Sequence, residues 1–534
     1  MKSSSTVLLF AGLLSLVLVT DPVLAYQQGS RRASRDPRQC RIQRLTASRP
    51  SRKIQSEGGV TELWDENEEQ FQCAGVAAMR NVIQPNSLSL PNYSPSPRLV
   101  YIQKGVLGIS YPGCAETYQS GTEQPEEEEE EEERQPRKGR EQEEQQEEEQ
   151  RRQPGRRSEQ GRRQEEKEEE QQRQPGRRGE QGRRRGKQEE EEEEEEEQSG
   201  RRRRSGDQHQ KVHRIRRGEI VAIPAGAAHW CYNDGNEELV AVSITDVNSQ
   251  SNQLDQNPRV RMHGEGRRAS QRREESESES SSSNAQNILS AFDANVIAQA
   301  FNVPNEIARR LTREDNRGFI VKVQREGMGM IKPDERERSS SSRGRRNGME
   351  ETYCNMRINQ NLDNPREADI YSRQAGRLNS VNMHKLPILR YLDLSAEKGS
   401  LHPNAILAPH WGMNAHTIIY ITRGDGNLQV VGSNGRKVFN ERVREGQLVV
   451  VPQYFASMKR AGRNGVEWVA FKTSALPIRS PLAGHSSVFK GLPLQVITNS
   501  YGVSNRQAQQ LKFNREFQHL LFPPSRTAVS VRSC

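Results

Sequence analysis

Apolar residues are scarce in this chain. The hydrophobic set makes up 31% of its 534 residues, the aromatics only 5%, and the mean hydropathy is −0.97. Part of the chain therefore lacks the apolar surface needed to offset the entropy of ordering. One long hydrophobic run occurs, Val7 to Val19. It is short for a bilayer span of about 20 residues and an Arg-rich stretch follows, which argues against a membrane anchor. With Lys2 before it and Val23-Leu24-Ala25 after it, the run reads as a secretory signal cut near Ala25, leaving a soluble chain and no membrane partner. Cysteine is sparse, at positions 40, 73, 114, 231, 354 and 534. In an oxidising compartment disulfides are expected, but spacing alone does not pair them. Enzyme signatures are also missing: the chain has no G-x-S-x-G elbow, no H-E-x-x-H helix and no G-x-x-x-x-G-K-[ST] phosphate loop.

Charge is abundant and unevenly placed. Residues 348–534 carry 23 Lys+Arg against 12 Asp+Glu, whereas residues 1–347 carry 57 against 60. From about 119 to 210 the chain holds the unbroken runs Glu126–Glu133 and Glu189–Glu197. There, RQPGRRSEQGRR (152–163) recurs as RQPGRRGEQGRR (173–184). With no apolar stripe to fold upon, this segment reads as a disordered, tandemly expanded insert, and 264–284 and about 334–347 read as disordered linkers. The Arg runs could suggest a polyanion binder. They alternate with Glu runs that neutralise them and lack interleaved aromatics, so nucleic acid is not expected as a partner.

Between these stretches lie short Val- and Ile-rich runs bounded by Gly and Pro. Examples are RLVYI (98–102), EIVAIP (219–224), ELVAVSI (238–244), TIIYIT (417–422), LQVVG (428–432), QLVVVP (447–452) and EWVAFKT (467–473). This spacing predicts a mainly β chain of sandwiches or barrels. Asn434-Gly435 and Asn464-Gly465 predict two-residue hairpin turns, and Asn233-Asp234-Gly235 a third turn. RRGEIVAIPAG (216–226) repeats as REGQLVVVPQY (444–454), and VIAQAFNVPNEIARRL (296–311) as VITNSYGVSNRQAQQL (496–511). The second pair has helical apolar spacing interrupted at Asn305 and Ser504, as at N-caps. The architecture expected is two β-barrels, each followed by a small helical arm, about 285–312 and about 485–520.

The motifs FQCAGVA (71–77), YPGCAETY (111–118), IPAGAAHWCYNDG (223–235), NQLDQNPR (252–259), NGMEETYC (347–354), ADIYSRQAGRLNSVN (368–382) and HTIIYITRG (416–424) make the chain resemble the 11S seed storage globulins. These legumin-like bicupins have two jelly-roll barrels. The resemblance implies a nutrient store made as a proform in the secretory pathway and held in the seed's protein storage vacuole. It implies that an asparaginyl endopeptidase cuts between Asn347 and Gly348, leaving an acidic chain (26–347) and a basic chain (348–534), whose cupin barrel spans about 350–475. It pairs Cys40 with Cys73, and Cys114 with Cys354 across the cut. Cys231 is then a free thiol and Cys534 stays unassigned. It further implies homo-oligomers, trimers of the proform and hexamers after cleavage.

The alternative within the same fold is a metal-dependent cupin enzyme. G-x5-P-x-G-x2-H-x3-N around His229 matches one half of a metal-cupin site, but the other half, G-x5-H-x-H-x3,4-E, is missing. The matching region of the first barrel, SLPNYSPSPRLVYI (89–102), has no His and no Glu. In the second barrel His410 remains, while Gly412, Thr417 and Ser457 stand where ligands would be. His410 with His416 is the best residual pair. No metal site, cofactor or catalytic residue is expected. Asn92-Tyr93-Ser94 forms an N-glycosylation sequon, expected to be unused.

Overall fold

The computed structural model describes residue 40, residues 42–110, 212–254, 287–313, 317–323 and 356–524, and the backbone of strands at 118–120, 208–209, 261–262 and 333–338. Ala25, Asn347, Gly348, Cys114, Cys354, Cys534 and most of the Glu/Arg-rich insert lie outside the described residues. Two compact units are present. One holds both barrels; the other, within Tyr118–His209 and Lys332–Glu337, contributes the strands Tyr118–Ser120, Gln208–His209 and most of Pro333–Arg338.

The first barrel is built from two antiparallel sheets. One runs Arg52–Ser56, Gly59–Leu63, Val76–Ile83, Leu239–Asp246, Arg98–Lys104, Glu219–Ile223 and Asn359–Asn361 in spatial order. The other centres on Ser87–Tyr93 and His229–Asn233. Every residue of Leu239–Asp246 is buried, as befits a central strand covered on both faces. Asn233 closes the predicted turn: its Oδ1 accepts from the Gly235 amide at 3.0 Å, and its Nδ2 donates to the carbonyls of Ile83 and Glu237. Asn92 sits half-buried in Ser87–Tyr93 and donates its Nδ2 to the Leu90 carbonyl at 2.8 Å. That amide nitrogen is engaged within the strand.

The second barrel repeats the plan with longer strands. TIIYIT and LQVVG fuse into one strand, Thr417–Val431, which pairs with Ala456–Lys472 along most of its length. The first barrel breaks at the same place because it lacks the two residues Asp425-Gly426. There the chain bends at Gly105, whose φ of +85° and close approach to the Leu239 backbone suit only glycine. Two turn expectations need correction. Asn434-Gly435 lies in a hairpin, but the loop is longer than two residues: Val431 pairs with Lys437, and the Gly432 amide donates to the Arg436 carbonyl. Asn464-Gly465 is a bulge inside Ala456–Lys472, with Gly465 at φ +77°.

Both helical arms form. In the first, helices Ala294–Phe301 and Asn305–Leu311 follow one another; in the second, Leu494–Tyr501 and Asn505–Phe513 do, after a short Val488–Gly491 turn. Ser504 caps Asn505–Phe513 through a capping box with Gln507. Asn305 does not cap its helix: the cap position is Pro304, which has no side-chain donor or acceptor, and Asn305 is the first helical residue.

The barrels share a core. Trp64, Leu99 and Tyr101 of the first pack in one cluster with Ile418, Tyr420 and Phe471 of the second, and the Trp64 and Tyr420 rings meet edge to face at 6.1 Å. The chain also interlocks across position 347. Asn359–Asn361, from the C-terminal side, is an edge strand of the first barrel. Ile42 and Leu45, from the N-terminal side, lie in the second barrel's own core, and Ser48 bridges Leu448. A Cys40–Cys73 disulfide ties that N-terminal segment to helix Glu69–Ala74. Replacing both cysteines with Ala should lower stability by about 2–4 kcal/mol, read as a reduced urea midpoint; an unchanged midpoint would show the bridge to be dispensable.

Candidate functional site

Each barrel carries one remnant of the metal-cupin motif, His229 in the first and His410 in the second. In the first, Pro224 and Gly226 (φ +75°) turn strand Glu219–Ile223 into His229–Asn233. His229 is buried, with Nδ1 3.2 Å from the Ala227 carbonyl oxygen, which can only accept. Nδ1 therefore carries the proton. Burial first, and the nearby Arg98 second, push the imidazole down to about 4, so it is neutral at pH 7. Arg98 stands where Thr417 does in the second barrel, at the place of the missing carboxylate. It is buried and donates Nε–H to Thr245 Oγ1 at 3.3 Å. The sequence reading overlooked it. A fixed guanidinium beside His229 opposes a metal cation there. Cys231 is the free thiol among the described residues, half-buried and pushed up to about 11 by burial.

In the second barrel His410 and Ser457 face each other in register on neighbouring strands. The two line a cavity of about 340 Å³. His410 donates Nδ1–H to the Ala408 carbonyl at 2.8 Å, and burial holds the ring neutral, well below the usual histidine range. His416 does not join it. The His416 Nδ1 accepts from the Gln453 amide at 3.3 Å, and the residue is not part of the cavity wall. The expected residual pair is therefore not assembled. Among the described residues no three His, Cys, Asp or Glu side chains converge as metal ligands.

What fills this interior is a charge cluster. Glu397 is 5% exposed, ion-paired with Arg479 and lying 3.8 Å from Lys472. Burial alone would raise its carboxyl, but Arg479, Lys472 and Lys459 hold it well below the usual carboxylate range. Lys472 and Lys459 are 8% and 5% exposed. Burial pushes Lys472 down to about 8 and Lys459 to about 7, against the pull of Glu397. The Lys459 ammonium rests over the Trp468 ring, 4.7 Å from its centroid. That ring lies across Gly399, where any Cβ would collide with it. The sequence did carry a signal for this cluster: Ser457 and Lys459, and then Trp468, Ala470 and Lys472, alternate with period two, which places both lysines on the inward face.

A family model described as Cupin matches residues 45–261 and 360–509, one match on each barrel. The protein is thus a bicupin that keeps one motif histidine in each barrel, His229 and His410, with Arg98 standing beside the first and Gly412, Thr417 and Ser457 at the other ligand positions of the second. The chain belongs to the 11S globulin seed storage proteins: it is 48% identical over 501 residues to 11S globulin seed storage protein 2 of Sesamum indicum, covering 92% of this chain and 94% of that one. Among solved structures, the coconut allergen cocosin matches with a TM-score of 0.67 at 34% identity, covering 91% of this chain and 100% of that one. Procruciferin, an 11S globulin from Brassica napus, matches with 0.67 at 31%, covering 92% and 100%. The protein is a seed storage globulin and not an enzyme.

Proposed function

We propose that this storage globulin is made as a secretory proform with a signal removed near Ala25, and is delivered to the protein storage vacuole. An asparaginyl endopeptidase then cuts it after Asn347. The products are an acidic chain and a basic chain starting at Gly348, joined by Cys114–Cys354. The observation that carries this reading is the interlock of the two halves. With Asn359–Asn361 hydrogen-bonded into the first barrel and Ile42–Ser48 seated on the second, a cut between them leaves the fold intact. The shift from a slightly acidic 1–347 to a strongly basic 348–534 supports the same boundary.

Assembly follows from the arms. Val296, Phe301 and Ile307 of the first arm, and Tyr501, Leu511 and Phe517 of the second, are exposed by 46–89%. Such apolar faces are suited to a neighbouring copy, as in a trimer that pairs into a hexamer after cleavage. Electrophoresis of seed protein tests the cut and the bridge together: one band near full mass without reductant, two after reduction. An Asn347→Gln chain should stay uncut and trimeric by light scattering, and hexamers formed from it would contradict the coupling of cleavage to assembly.

A further inference from the structure

We propose that His485 and His519 form an exchangeable two-histidine site for a divalent transition-metal ion of the zinc class, at the base of the second helical arm. The storage role does not require such a site, and it does not use the motif histidines His229 and His410. His485 precedes the helices Val488–Gly491, Leu494–Tyr501 and Asn505–Phe513, and His519 follows them. The chain folds back so that the segments before and after the arm run side by side. The His485 amide donates to the Gln518 carbonyl at 2.7 Å. Gly484, at φ +105°, permits that approach: a Cβ there would lie 2.7 Å from the Gln518 carbonyl oxygen and 2.8 Å from that of His519.

The two imidazoles then meet with ring centres 5.2 Å apart and planes at 61°. Two imidazoles on one tetrahedral zinc, with Zn–N of about 2.0–2.1 Å, place their ring centres about 5 Å apart. His485 Nδ1 lies 2.9 Å from the Glu516 carbonyl oxygen, which can only accept, so Nδ1 carries the proton and Nε2 keeps its lone pair. A carbonyl on the far ring nitrogen is a common second partner of metal-binding histidines, fixing both the tautomer and the direction of the ring. The His519 side chain has no hydrogen-bond partner among the described residues, so its ring is also available. Both residues are exposed, which lets an ion enter from solvent and water complete its shell. The cations of this segment are engaged elsewhere: Lys490 pairs with the Glu516 carboxylate at 2.8 Å, and Arg515 lies over the Phe522 ring. Imidazole nitrogen selects zinc, copper or nickel over magnesium and calcium, which take oxygen ligands.

The test is diethyl pyrocarbonate labelling of the full chain at neutral pH, read residue by residue by mass spectrometry. The reagent acylates accessible imidazole nitrogens, and a metal ion on the ring blocks it. Without metal, His485 and His519 should both be labelled. Zinc chloride should lower the labelling of both at least about tenfold, and magnesium chloride should leave it unchanged. His384 and His402, exposed elsewhere on the same barrel, should keep their labelling in zinc. In His519→Asn, with circular dichroism matching the parent, zinc should no longer protect His485. A pair that fails to react before metal is added, protection of only one ring or of neither, equal protection of His384 and His402, protection by magnesium, or protection of His485 that survives His519→Asn would each overturn the proposal.

Discussion

Replacing Glu397 with Gln is expected to lower the stability of the second barrel by about 3–5 kcal/mol, although the side chain barely changes in shape. The carboxylate is the one acid that faces Lys459, Lys472 and Arg479 inside the barrel, and removing it leaves three buried cations without a counter-charge. An amide oxygen can still accept one hydrogen bond from Arg479, but it carries no charge. The pH dependence follows from the direction of the shift. Because the folded carboxyl lies well below its unfolded value of about 4.5, its contribution is present above that pH and is lost only as pH falls through the much lower folded value. The gap between parent and Glu397→Gln should therefore persist at pH 4, measured as urea midpoints of the full chain. A difference under about 1 kcal/mol would mean the cluster is solvated and the cations are neutralised by other means.

The opposite sign is expected for Lys459→Met, which should raise stability by about 1–4 kcal/mol at pH 6. Met fills similar volume, keeps contact with Trp468 and removes a desolvated ammonium. The groups facing Lys459 are Glu397, Lys472, Arg479 and His410; the neutral imidazole of His410 adds no charge. The folded ammonium titrates near 7 and the unfolded one near 10.5. The folded state thus bears the full cost of this charge below pH 7 and is progressively relieved between pH 7 and 10.5, where the unfolded chain binds more protons. The advantage of Lys459→Met should shrink between pH 6 and pH 10. A gain that stayed constant would assign the effect to packing rather than charge.

These two variants touch residues whose importance the sequence conveys only weakly. The barrels themselves were legible, because Val- and Ile-rich runs at even intervals and the paired repeats are imposed by local chemistry and by burial of one face. Ser504 was legible as a cap because a short hydroxyl side chain interrupts the helical apolar spacing there, and the structure adds Gln507 as the other half of the capping box. Asn305 misled because the preceding Pro304 already fixes the backbone geometry of the cap position. The fused strand Thr417–Val431 was not foreseen. Glycine at 424 and 426 reads as a turn, yet the bulge at Asn464-Gly465 absorbs the mismatch and lets pairing continue. The loss of the metal ligands could be read from His229 standing without upstream histidines. What replaced them was legible only in part: the period-two spacing puts Lys459 and Lys472 on one face of a single strand, but Arg98 and Glu397 come from other strands, and only the closed barrels set them against their partners.

As a storage globulin, this cupin scaffold serves as a reserve of amino acids, and its second barrel is given over to buried charge. The direct measurement is the amount of the chain per seed, by quantitative mass spectrometry, from maturity through germination. The claim predicts accumulation to a major share of seed protein, followed by near-complete loss as the seedling grows. A level that stayed constant through seedling growth would contradict it.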